Sequence, residues 1–172
     1  MKASTQNVTL YQLSYSQVKT YLFAALFIVG NIALPQLCHL IPQGGLIFLP
    51  IYFFTLIAAY KYGFTVGLTT AILSPLVNSA LFGMPPAAML PIILIKSVTL
   101  AVAAAFIAHK TNKVTLLTVA LAVIAYQLIG SLAEWALTGS LEKATQDIIL
   151  GWPGCLIQIV GGYLVLRYLL KK

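Results

Sequence analysis

The sequence predicts an all-α integral membrane protein of six transmembrane helices with both termini cytoplasmic. Three observations carry this. First, 60% of the 172 residues are hydrophobic and only 8% are charged, where a soluble domain carries about 25% charged residues. With a mean hydropathy of +0.97, the chain cannot cover a water-facing surface. Second, apolar stretches follow one another from Tyr21 to Leu170. A spanning helix needs about 20 mostly apolar residues, so the length fits six spans with short connections and leaves no room for an attached catalytic domain. Third, the basic residues are divided very unequally between the two sides of those stretches.

The elements are expected in this order. Residues 1–16 form a polar Ser/Thr/Gln-rich cytoplasmic tail or short surface helix, and residues 17–172 form one transmembrane domain. The first span is Val18–Leu37. It follows a polar tail and has no small-residue cleavage site behind it, so it reads as a retained helix rather than a signal peptide. A loop, Cys38–Gly45, leads to a second span, Leu46–Tyr60, short and interrupted by Pro50. Lys61-Tyr62-Gly63 is a tight turn before the third span, Phe64–Leu81. Gly83-Met84-Pro85-Pro86 is the next turn, because proline restricts itself and its predecessor. The fourth span is Ala87–Ala108, followed by the basic turn His109–Lys113. The fifth is Val114–Leu137, and a loop, Thr138–Gln146, precedes the sixth, Asp147–Leu170.

Six spans put Lys2, Lys19, Lys61, Lys110, Lys113, Arg167, Lys171 and Lys172 on one side, eight of the ten Lys and Arg residues. Positive charge marks the cytoplasmic side, so both termini are placed there. Glu134, Glu142 and Asp147 fall at or near the other face. A five-span reading would put the C-terminal basic cluster outside. The net charge of +7 is thus explained by topology; the basic residues form no patch interleaved with exposed aromatics, which speaks against a nucleic-acid partner.

Lys96 sits mid-span, in Pro91-Ile92-Ile93-Leu94-Ile95-Lys96-Ser97-Val98. A charge at mid-depth costs roughly 3 kcal/mol on insertion scales, so it faces a cavity, a partner or a ligand, unless it snorkels to a headgroup. Counting from the outer helix ends places Lys96, Gln127 and Gln158 at one level, about 15 Å down at the helical rise. Gln127, Ser131 and Glu134 are spaced to share one helix face, and Asn78 lies a turn below the outer end of the third span. Buried polar groups need partners. The cluster therefore implies either a ligand site or interhelical hydrogen bonds that only hold the bundle together. Trp135 and Trp152 fall at the outer interface, as belt residues or as stacking surfaces for a ligand. His39, in the first outer loop, is a candidate to close over a pocket.

Small residues recur at helical spacing, as Gly63/Gly67/Ala71 and as Ala101/Ala105 and Ala104/Ala108. Such ridges let helices approach closely, within the bundle or against a partner. Cys38 and Cys155 have no metal-site spacing and read as two buried thiols. The chain has no Gly-rich GK[ST] phosphate loop, no HExxH and no GxSxG. With three acids and two histidines, a metal site or His-based triad is poorly supplied. No enzyme activity and no cofactor are expected, nor is a voltage sensor, since no span carries repeated Arg.

The run from Leu49-Pro50-Ile51 through Ala59-Tyr60-Lys61-Tyr62-Gly63-Phe64-Thr65-Val66-Gly67, then Ser74-Pro75-Leu76-Val77-Asn78-Ser79-Ala80-Leu81-Phe82-Gly83-Met84-Pro85-Pro86, resembles the second-to-fourth helix region of the substrate-binding S components of energy-coupling factor (ECF) vitamin transporters. The resemblance covers about residues 20–170. It implies a substrate-binding domain in a prokaryotic cell membrane, with a vitamin or precursor held near the outer face under the outer loops. It implies as partners a membrane scaffold subunit and two ATPase subunits, which would hydrolyse ATP in place of this chain. The first helix reads Ala24-Ala25-Leu26-Phe27-Ile28-Val29-Gly30 and lacks the Ala-xxx-Ala docking pair of many such components. Lys96 would favour an anionic ligand and Glu134 a cationic or hydrogen-bond-donating one; pairing between the two would cancel both inferences. Two other classes fit the same pattern: a membrane assembly protein with a dry, self-paired polar cluster, and an ion-driven secondary carrier, against which stands the lack of an inverted repeat.

Overall fold

The computed structural model describes residues 10–170, and every regular element among them is helical. The long helices are α1 (Val18–Cys38), α4 (Phe64–Phe82), α5 (Leu90–Thr111) and α6 (Leu116–Thr138). Between them lie α2 (Gly44–Phe48), a 3-10 turn (Pro50–Tyr52) and α3 (Phe53–Tyr62). After α6 come α7 (Leu141–Ile149), α8 (Trp152–Leu156), a π-helical turn (Ile157–Gly161) and α9 (Gly162–Leu170). Five segments are long and apolar enough to cross a membrane: α1, α4, α5, α6 and the continuous run Trp152–Leu170. The outward-facing residues agree. Leu26, Phe106, Leu117, Leu128 and Leu132 are each more than half exposed, a surface that water would not tolerate but hydrocarbon does.

The segment expected as a second span is helical in pieces. Leu49 adopts a left-handed conformation, φ 46°, where a bulky residue is rare. Pro50 follows; it offers no N–H and disfavours α geometry in its predecessor. The helix restarts at α3, whose residues from Thr55 to Tyr62 are all buried. This restart creates unpaired N–H groups, and α1 supplies the answer. Asn31, fully buried, accepts from the Phe54 N–H (3.1 Å) and donates to Thr55 Oγ1 (2.9 Å) and Ser74 Oγ (3.2 Å). One side chain thus joins α1, α3 and α4.

Close packing places α3 in the middle. A Cβ on Gly67 would stand 2.4 Å from the Ala59 Cβ, so α3 and α4 cross at a contact only glycine permits. Ala101, Ala104 and Ala108 are buried on α5. The small-residue ridges are therefore used inside the bundle. At the end of α3 the Tyr60 hydroxyl donates to the Lys113 carbonyl (2.7 Å) and meets Thr118 Oγ1 (2.7 Å). Thr115 caps α6 by a reciprocal bond pair with Thr118.

The chain after α6 departs from expectation. Thr138–Gln146 was expected as a loop, yet Leu141–Ile149 is a helix, capped by Ser140 Oγ accepting from the Lys143 N–H (3.3 Å). Asp147 belongs to this short helix and not to the following span. Gly151 and Pro153 separate the two: proline is at home in a first helical turn, so the membrane segment starts at Trp152.

The hydrogen bonds Tyr11 N–H to Lys61 O (2.9 Å) and Lys61 Nζ to Leu169 O (3.1 Å) gather Tyr11, the end of α3 and the end of α9 at one end of the bundle. Tyr11 and Leu13 of the expected tail thus lie against the end of α3, Leu13 through its N–H to the Tyr62 carbonyl (3.3 Å). Residues 1–9, with Lys2, and the pair Lys171 and Lys172 fall outside the described residues. Glu134, Asp147 and α7 occupy the opposite end.

Candidate functional site

An insertion cost as large as that of Lys96 demands a partner, and the fold provides two. Lys96 is 2% exposed. Its Nζ lies 2.5 Å from Glu134 Oε2 on α6 and 2.7 Å from Asp147 Oδ2 on α7. The stem reaches them across Gly130, where a Cβ would come within 2.5 Å of Lys96 Cγ. Gly130 stands one turn before Glu134, so it makes the channel along which the lysine climbs.

The charges do not balance. One ammonium faces two carboxylates, leaving one negative charge in excess when all three are ionised. Three buried atoms nearby find no hydrogen-bond partner among the described residues: Ser97 Oγ, Gln127 Oε1 and Ser131 Oγ. Ser97 adjoins Lys96 on α5. Gln127, Gly130, Ser131 and Glu134 share one face of α6. Each unmet buried group costs about 1–3 kcal/mol.

Gln127 and Gln158, expected at the level of Lys96, are bonded elsewhere. Gln127 Nε2 contacts Cys155 Sγ at 3.0 Å. Gln158, fully buried in the π-helical turn, accepts from the Tyr126 hydroxyl (3.0 Å) and donates to the Leu49 carbonyl (3.3 Å). That carbonyl, at the break before Pro50, otherwise accepts only a long bond from the Tyr52 N–H (3.4 Å), so Gln158 has a structural task. π-turns recur where helices carry such special groups.

His39 and Asn78 belong to a second feature. An apolar cavity of about 390 Å³ opens beneath the α1–α2 loop, lined among others by His39, Gln43, Pro50, Asn78, Pro85 and Met89. Gln36 Nε2 donates to Asn78 Oδ1 at 3.1 Å. Ile93, one turn before Lys96 on α5, also lines it, but none of the three charged residues does. Trp135 and Trp152 are 51% and 58% exposed, turned outward as interfacial residues are. The nine expected residues therefore divide between an ionic cluster, a structural bond, an apolar cavity and the outer surface.

With Lys96 and Glu134 paired, neither taken alone fixes the sign of a ligand. Asp147 adds a second carboxylate to the lysine; sequence reasoning did not include it among the site residues, and its position at the edge of an apolar run was the available signal. Ser97 and Gly130 were also missed. Among the described residues no three His, Cys, Asp or Glu side chains gather at a metal-binding distance. No family model, curated protein or solved structure matches this chain.

Proposed function

We propose that this protein is the substrate-binding membrane component of an ECF-type importer, crossing a prokaryotic plasma membrane six times with both termini cytoplasmic. The broken segment Gly44–Tyr62 serves as the second crossing. The protein binds a vitamin or vitamin precursor near the outer face and passes it inward together with a scaffold subunit and two ATPases. It performs no bond chemistry and needs no cofactor of its own.

One observation carries the reading: the buried Lys96–Glu134–Asp147 cluster holds one carboxylate more than its lysine can neutralise, beside three buried polar atoms without partners. Such a face suits a ligand that brings a positive charge or several N–H donors. Asp147, the least buried of the three at 13% side-chain exposure, is the group such a ligand would take over, and α7 is the element that would move to admit it. The resemblance of residues 49–86 to S components supports the transporter assignment.

A second reading has its own observation. Lys96 is already satisfied by protein groups, as a dry, self-paired cluster in a membrane assembly protein would be. A thermal-shift screen of vitamins and precursors on the detergent-purified protein separates the two. The importer reading expects stabilisation by a compound with a basic or donor-rich ring, lost in Asp147→Asn. No shift from any compound favours the assembly protein.

A further inference from the structure

The chain contains three carboxylate side chains, Glu134, Glu142 and Asp147. Two of them hold Lys96, and Glu142 lies exposed in the first turn of α7. All three belong to one end of the bundle. At the other end Lys61, the next-to-last residue of α3, is only 6% exposed. Its Nζ donates to the Leu169 carbonyl at 3.1 Å and lies 5.1 Å from the centre of the Tyr11 ring. The carbonyl end of α9 and the ring face carry partial negative charge only. No side chain anywhere in the sequence is left to supply a full counter-charge, including those of residues 1–9 and 171–172.

Beside Lys61 opens a groove of about 1300 Å³. Tyr11, Lys61 and Leu169 line it, Lys19 adds a second cation, and Leu22 and Leu26 of α1 belong to the same lining. Leu22 and Leu26 are 65% and 63% exposed and lie one turn apart on the lipid-facing side of that helix. A cationic head continuous with an apolar wall is the complement of one ligand class. We propose that this groove binds an anionic phospholipid, its phosphate between Lys61 and Lys19 and an acyl chain along Leu22 and Leu26. A soluble anion would not use the apolar wall, and a zwitterionic lipid would bring its own cation beside two lysines. Basic pockets between membrane helices hold anionic headgroups on the same physical grounds. The inference requires only that the chain lies in a membrane, and it stands whether or not the protein is a transporter component.

The test is native mass spectrometry of the full chain in detergent with equimolar phosphatidylglycerol and phosphatidylcholine. The wild type is expected to retain one phosphatidylglycerol in preference to phosphatidylcholine. Lys61→Met and Lys19→Gln should each reduce that preference by about fivefold, since a lysine beside a lipid phosphate contributes about 1 kcal/mol. Equal retention of the two lipids by the wild type overturns the proposal, as does an unchanged preference in Lys61→Met. Should Lys61→Met not purify, Lys19→Gln decides alone, because Lys19 is exposed. Displacement of the lipid by millimolar inorganic phosphate would make this a plain anion site and also overturn it.

Discussion

Lys96 on α5 holds Asp147 on α7 at 2.7 Å, and this contact ties a short helix outside the membrane-crossing segments to a charge buried within them. Removing the lysine strands two carboxylates, whereas neutralising one carboxylate leaves the other to pair. Lys96→Met should therefore destabilise by about 3–5 kcal/mol, the usual result of breaking a buried pair. Asp147→Asn should cost about 1 kcal/mol, because an acceptor remains. Combining Lys96→Met with Glu134→Gln and Asp147→Asn should recover much of the loss. Thermal unfolding in detergent measures all three; a triple variant no better than Lys96→Met would contradict the pairing.

Gly130 provides the path for the lysine stem. Gly130→Ala puts a methyl group 2.5 Å from Lys96 Cγ and should cost about 1–3 kcal/mol through overpacking. The cost should largely vanish when Lys96 is also shortened to alanine, as a double-mutant cycle would reveal.

Asn31 completes the start of α3. Asn31→Leu leaves the Phe54 N–H and the Thr55 hydroxyl without this partner, and each stranded group costs about 1–3 kcal/mol. Leu132→Ala, at an outward position, should change stability by less than about 0.5 kcal/mol. Equal effects of the two substitutions would argue against the observed role of Asn31.

These residues mark where sequence reading succeeds and where it stops. Long apolar runs locate α1, α4, α5 and α6 to within a few residues, because hydrocarbon imposes length and composition. The Gly67 ridge was legible because small residues at helical spacing have one main use. Depth counting placed Lys96 level with Gln127 and Gln158, but it tracks Cα positions, and a lysine side chain can climb past a glycine to reach acids nearer the helix end. Asp147 was assigned to a span because hydropathy alone does not register the break that Gly151 and Pro153 impose. Asn31 went unnoticed because its partner, the open Phe54 N–H, exists only once Pro50 has interrupted the helix.

The proposed orientation rests on the separation of charges. With Cys38 and Cys155 replaced by serine, Glu142→Cys should react with a membrane-impermeant maleimide on intact cells. Asn112→Cys should react only after permeabilisation. The reverse pattern would place the ionic cluster at the cytoplasmic face and remove the basis for capture from outside.

The role proposed for the cluster at Lys96, Glu134 and Asp147 is to hold a small molecule. Native mass spectrometry of protein gently extracted from its membrane tests this most directly. A co-purified compound of vitamin size bearing a basic or donor-rich group is expected, bound by the wild type and absent from Asp147→Asn. Protein that emerges empty, and stays empty after incubation with a vitamin panel, would contradict it and leave the cluster as internal bonding of an assembly protein.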